Sequence, residues 1–403
     1  MSDWGLLDPL AVESAATADD AVLTALVDAE RALLRAWGSV GDAPADLDDI
    51  AAALDADAID RVALLDGSRR GGVPVIALVT QLRAQAGAVR DGAAAWVHRG
   101  ATSQDILDTA LSLVADRGFA GVRRDLLAAG DRLAALADAE RGTLAAARTL
   151  TQHAAPTTIG AVAASWLDGV CSAIEAVDAT AMPVQLAGAV GTGEAFDVLA
   201  GRAVHDELRR AFAAELSLAD PQRSWQVERS PVLAIAGTAA LVVAALGRIG
   251  RDLALLARTE LGEVSLASAG GSSAMPQKQN PVDAVLLTAN ALRAPGELAT
   301  VHTAAVSADQ RPAGEWHAEW LPLRALLRMA EQSAAVAAAA FAGLTVHHDA
   351  VARDLALTGD ALLEERVAAG GDPADPAPTM TAAGRTVDAA IARFGALRSP
   401  GVR

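Results

Sequence analysis

The stretch 231–258, PVLAIAGTAALVVAALGRIGRDLALLAR, is apolar nearly all the way round a helical wheel. A helix on the surface of a globular protein keeps one apolar stripe, whereas one that is apolar on every side must be buried on every side. This segment therefore demands neighbours all around it, and in a thin bundle those neighbours include other subunits. Four further segments, 104–137, 156–181, 281–305 and 320–342, repeat apolar residues at helical spacing. Pro156, Pro231 and Pro281 each stand where one of these long helices would begin, the position that tolerates proline. Helices of about 25–35 residues span roughly 40–50 Å, so several together predict an extended bundle. Shorter helical patterns cover 18–37, 47–65 and 74–90, with Gly71, Gly72 and Pro74 between the last two. After Val346 the pattern changes. A short helical piece over 351–368 leads into a Gly/Pro/Asp-rich linker, 370–378, and then a last helix, 379–395. Alanine and leucine dominate, aromatic residues are only 3% and tyrosine is absent, which argues against a β-rich fold.

A net charge of −17 speaks against nucleic acid and against anionic membranes as partners, since both need a basic footprint. An anionic substrate would need positive charge gathered locally. The one cysteine, Cys171, lies in an apolar helical pattern and reads as a buried thiol. The N-terminus lacks a basic region followed by an apolar stretch, and no apolar run reads as long enough to span a bilayer. The expectation is a cytoplasmic protein.

Of the 33 basic residues all but Lys278 are arginine. Lys278 sits in Gly270–Pro281, GGSSAMPQKQNP, with Ser272, Ser273 and Asn280 around it and a helix start at Pro281. Lysine is a compact point charge on a flexible stem, and a helix N-terminus attracts anions, so this loop suits a carboxylate. Three more segments hold candidate groups. In His98–Asp105, Thr102 and Ser103 open a long helix; Ser103 suits an N-cap, and the hydroxyls suit an anion. In Thr149–Thr158, His153 follows Thr151 and Gln152, and histidine exchanges protons near neutral pH. In Arg311–Trp320, Arg311 precedes a turn and offers a carboxylate fork, while Trp316 and Trp320 at helical spacing read as packing. His347 and His348 read as surface residues. No P-loop, dinucleotide fingerprint or HExxH motif is present, so no cofactor and no metal are indicated.

Together these segments resemble the fumarase/aspartase superfamily, whose signature looks like GSSAMPQKQNP and whose two other shared regions look like GATSQDILDTA and TLTQHAAPTTIG. The resemblance covers about 20–370, in matching order. It implies an all-α fold with a long central helical bundle in three domains: 1–103, 104–345, and a short, abbreviated C-terminal domain over 346–403. It also implies a homotetramer whose active sites combine segments of three subunits. Many superfamily members pair a histidine after the threonine of the second region with a glutamate after the loop. Here those positions hold Leu150 and Val285, and His153 stands three residues on. That pattern, with RPAGEWHAEW, resembles the bacterial 3-carboxy-cis,cis-muconate cycloisomerases of protocatechuate breakdown, with nitrosuccinate lyases close to the same branch. The resemblance implies a small tricarboxylate substrate and γ-lactone formation. The alternative is elimination from a nitro- or adenylosuccinate to give fumarate. Ser272 maps to the proton-transfer serine, with His153 as its competitor, and Lys278 with Asn280 would stabilise the aci-carboxylate intermediate. Thr102, Ser103, Thr151, Gln152 and Arg311 would bind carboxylates.

Overall fold

A computed structural model of the chain describes residues 6–11, 14–40, 43–267, 275 and 278–398. The N-terminal helices are α1 (Asp19–Ser39), α2 (Leu47–Ala53), α3 (Arg61–Gly71) and α4 (Pro74–Val89). Asp60 caps α3 by accepting from the N–H groups of Val62 and Ala63, and Gly72, at φ 73°, ends it. Pro74 starts α4 at the position where its missing N–H costs nothing. The pattern over 47–65 is thus two helices, broken where Asp60 competes for the backbone as a cap.

The long α5 (Ser103–Ala139) follows, then β1 (Leu144–Thr149), β2 (Gln152–Thr158) and α6 (Ile159–Ala179). The middle of the chain adds α7 (Glu194–Ala200), α8 (His205–Leu216), α9 (Ser230–Leu256), β3 (Val264–Ser265), α10 (Val282–Ala304) and α11 (Glu315–Ala342). β4 (Thr345–Val346), α12 (His348–Thr358), a 3-10 turn over Gly359–Leu363, α13 (Glu364–Ala368) and α14 (Ala377–Arg398) complete it. The architecture is all-α with two small antiparallel sheets, β1–β2 and β3–β4.

The chain divides into two compact units. The first contains residues 1–119, 180–237 and 297–328, and the second 120–179, 238–296 and 329–403. In the first, α1 buries Leu23, Leu26, Val27, Leu33, Leu34 and Trp37 and packs on α2 and α8. A charged cluster also lies in its core. Arg229 forks Asp108 at 2.8 and 3.1 Å and pairs with Glu319, and Trp316 Nε1 donates to Asp108 at 2.9 Å. All four residues are at most 3% exposed, so each charge depends on its partners for the solvation it has lost. Burial and the neighbouring Asp108 push the Glu319 carboxyl up, and its pairing with Arg229 opposes that.

In the second unit α6 packs along α14, and Arg393 of α14 reaches Asp168 and Glu175. Pro156 does not open α6. It lies within β2 opposite Ala146, and Thr158 takes the capping role by accepting from Ala161 N–H at 3.1 Å. A side chain at Gly160 would fall 2.6 Å from the Ala137 carbonyl oxygen, so only glycine lets α6 begin this close to α5. Gly250 plays the same part between α9 and α10, where an added Cβ would lie 2.9 Å from the Ala284 carbonyl oxygen.

The sequence expectation for 231–258 holds only in part within one chain. Val242, Val243, Leu246, Ile249 and Leu253 are buried, yet Leu241 and Leu255 remain 41% and 42% exposed. On α10, Val285 and Leu292 are 54% and 76% exposed. Both α6 and α9 are long and apolar enough to cross a membrane by length and composition, where the sequence reading found no such run. About half of each apolar window is buried in the chain itself.

Candidate active site

The first group of candidate residues lies in the first unit, at the N-terminus of α5. The chain reaches it through a contorted segment, with His98 at φ 62° and Gly100 at φ 79°. Interior contacts hold this segment: His98 Nδ1 meets the buried Glu30 carboxylate at 2.6 Å, and Trp37 Nε1 donates to the Arg99 carbonyl at 3.1 Å. The Glu30 and Asp105 charges raise the His98 pKa against the burial that lowers it. Ser103 is the first residue of α5 and not its cap, so the cap position falls to Thr102. Asp105, fully buried, closes the turn: its Oδ2 accepts from Thr102 N–H at 3.0 Å and Gly188 N–H at 3.0 Å, and its Oδ1 from Ala187 N–H at 2.9 Å. Burial pushes this carboxyl up to about 7, against the three N–H donors that favour its charged form. Arg311, exposed, donates through Nη2 to Thr102 Oγ1 at 2.6 Å and to the Ala189 carbonyl at 3.4 Å. Thr102, Ser103 and Arg311 therefore form one cluster of a hydroxyl pair, a guanidinium and a helix N-terminus, which is suited to a carboxylate.

The second group lies in the second unit, on the β1–β2 hairpin. Its two-residue turn is Leu150–Thr151, with φ of 49° and 71°. Positive φ at both positions marks a type I′ geometry, normally supplied by Asn and Gly. For a β-branched threonine it is a strained conformation. The turn makes an exposed tip of Leu150, Thr151 and Gln152, with His153 half-buried behind it. His153 Nδ1 lies 2.7 Å from Thr358 Oγ1, at the end of α12. Arg148, the strand partner of His153, forks the buried Glu263 at 2.7 and 3.0 Å. Glu263 directly precedes β3, so this fork ties the hairpin to the foot of the segment that leads into the Gly270–Pro281 loop.

The third group belongs to that loop, also in the second unit. Ser272 lies outside the described residues, as does most of the loop. Lys278 is exposed, and its backbone N–H donates to the Met275 carbonyl at 3.0 Å. Asn280 is half-buried just before α10, and its carbonyl accepts from Val282 N–H at 2.8 Å. Leu150, at the tip of the hairpin, and Val285, on the first turn of α10, put apolar side chains where the resemblance would place an acid–base pair.

Sequence reasoning missed four residues that hold these groups in place: Asp105, Arg148, Glu263 and Thr358. Only Asp105 had a local signal, as an acid in the first turn of a helix; the partners of the others lie more than 100 positions away. His348 is also less plain than its sequence suggested, since its Nε2 meets Glu140 at 3.0 Å. Among the described residues no group of three or more His, Cys, Asp or Glu side chains is arranged to hold a metal.

A profile of the lyase family matches residues 16–296. Nitrosuccinate lyase of Streptomyces davaonensis is 43% identical over 91% of this chain and 80% of its own length. The 3-carboxy-cis,cis-muconate cycloisomerase of Pseudomonas aeruginosa is 36% identical over 86% of this chain and 76% of its own length. The crystal structure of the 3-carboxy-cis,cis-muconate lactonizing enzyme from Pseudomonas putida superposes with a TM-score of 0.85 at 27% identity, covering 95% of this chain and 96% of that one. This chain is an enzyme of the lyase family within the fumarase/aspartase superfamily.

Proposed function

We propose that the protein is a lyase that eliminates nitrite from nitrosuccinate to leave fumarate. The observation that carries this reading is the 43% identity with a nitrosuccinate lyase along 91% of the chain. The chemistry of the leaving group supports it. A hydroxide or an amine must be protonated as it departs, and the family's His–Glu pair is suited to that work. Leu150 and Val285 can offer no proton. Nitrite needs none, because it leaves as a stable anion.

In the reaction, Ser272 takes a proton from the carbon next to one carboxylate. The electron pair passes into that carboxylate as an aci-carboxylate, then forms the C=C bond as the C–N bond breaks, and the C–N pair leaves with nitrite. The doubled negative charge of the intermediate is the quantity to stabilise, and fixed donors aimed at it supply the largest share of catalysis. Lys278 and Asn280 take that role. The Thr102–Ser103–Arg311 cluster and Thr151 with Gln152 hold the substrate carboxylates, and His153 donates a hydrogen bond to the departing oxygen. The exposed apolar residues Leu241, Leu255, Val285 and Leu292 support a homotetramer in which neighbouring subunits complete each site.

A second reading, closure of 3-carboxy-cis,cis-muconate to its lactone, is favoured by the TM-score of 0.85 to a lactonizing enzyme. Run backwards, that reaction also expels a stable anion, a carboxylate, so it makes the same demands on Leu150 and Val285. Nitrite release by the purified protein, measured on nitrosuccinate and set beside loss of the diene absorbance of carboxymuconate, separates the two.

A further inference from the structure

We infer that Thr358, at the C-terminal end of α12, is a positioning residue that fixes the tautomer of His153. The inference rests on the reading above that His153 acts at the substrate. The two residues are 205 positions apart, and their contact joins the hairpin tip to the tail of the chain. His153 Nδ1 is occupied by Thr358 Oγ1 at 2.7 Å, which leaves Nε2 as the nitrogen free to face a substrate. Which ring nitrogen carries the proton in a neutral imidazole is set by the hydrogen bond that the other one makes.

A hydroxyl has a proton to give, so it can donate to Nδ1 and leave the N–H on Nε2. A carboxylate in its place would accept only. It would draw the proton of a neutral ring to Nδ1 and leave Nε2 bare. Two carboxylates face Arg148 of the hairpin: Glu263 is forked by it, and Asp354 lies 3.9 Å from it while its Oδ1 accepts from Arg353. The partner of His153 is thus a neutral hydroxyl, able to donate, and neither of these two acids. It suits a histidine that supplies an N–H to a departing anion, and it does not suit one that must accept a proton.

The backbone is arranged to keep the hydroxyl there. Thr358 closes α12, and Gly359 turns the chain away at φ 55° into the 3-10 turn that packs on β2. On the hairpin side, the Arg148–Glu263 fork fixes the strand that pairs with His153. The ring is therefore held from both sides, by its own strand and by the tail of the chain.

The experiment uses the full-length protein labelled with 15N-histidine, with the His153 resonances assigned by their loss in His153→Asn. Solid-state 15N spectra should show the neutral His153 ring protonated at Nε2 with a hydrogen-bonded Nδ1. In Thr358→Val both tautomers should appear, with kcat falling about tenfold and KM nearly unchanged. Thr358→Ser should restore the native spectrum and rate. A native ring protonated at Nδ1, or a Thr358→Val spectrum identical to the native one, overturns the inference. The kcat of His153→Asn judges the underlying reading separately: near-normal turnover would remove His153 from the chemistry, whatever its tautomer. A Thr358→Val loss that persists undiminished in the His153→Asn background would make Thr358 merely structural.

Discussion

Replacing Asp105 with asparagine should both loosen the first unit and weaken substrate binding. Oδ2 of Asp105 serves two backbone N–H groups, of Thr102 and Gly188, and Oδ1 serves one, of Ala187, with the Gln226 amide a longer donor to it at 3.5 Å. An amide has one oxygen. Its best orientation keeps that oxygen on the pair and turns its NH2 toward Ala187 N–H, which leaves one buried donor without a partner. Such an orphan costs about 1–3 kcal/mol. Alanine would orphan all three. The protonated acid avoids this penalty, because its hydroxyl oxygen can still accept. The folded pKa of about 7 lies above the ordinary 3.8, so the folded protein keeps a proton that the unfolded chain has lost throughout that interval. The stability from this group is full below the lower value and lost as pH rises through the upper one. The variant has no such proton, so its deficit should be greatest at and below about pH 4, at about 1–3 kcal/mol, and shrink as pH rises toward 7. Urea denaturation at several pH values measures this as a shifted midpoint with an unchanged slope. Asp105 also holds both Thr102 and the loop whose Ala189 carbonyl receives Arg311, so KM should rise more than kcat falls. An unchanged midpoint near pH 4, or a deficit that widens with pH, would refute the reasoning.

Two other substitutions test separate parts of the account. Arg229→Met strands the buried carboxylates of Asp108 and Glu319 and should cost about 3–5 kcal/mol, read from urea midpoints. Adding Glu319→Gln to it should recover part of the loss, and no recovery would contradict the charge argument. Lys278→Ala should lower kcat about a hundredfold or more, the scale of losing one preorganised donor. Its oligomeric state on size-exclusion chromatography should not change; near-normal turnover would sink the role given to the lysine.

The long helices were legible because their signals are local and repeated: apolar residues at helical spacing, and prolines at Pro231 and Pro281 where α9 and α10 begin. The same rule misled at Pro156. The hairpin there turns through Leu150 and Thr151, residues that carry no Asn–Gly signature, so nothing in the sequence marked two short strands. Helix α11 begins at Glu315, five positions before its expected start, because Trp316 and Glu319 are buried against Asp108 and Arg229 of the same unit. The candidate site divides in the same way. Thr102, His153, Lys278 and Arg311 stood out by residue type and neighbourhood. Arg148, Glu263 and Thr358 did not, since what they do depends on contacts between distant parts of the chain.

The central claim is that this lyase expels a leaving group that needs no proton, and that the group is nitrite. Purified protein should convert nitrosuccinate to equal amounts of fumarate and nitrite, with no fumarate from adenylosuccinate. Fumarate from adenylosuccinate would contradict the leaving-group argument drawn from Leu150 and Val285. Inactivity on nitrosuccinate, with rapid loss of the carboxymuconate diene absorbance, would contradict the choice of nitrite and make the protein a lactone-forming cycloisomerase.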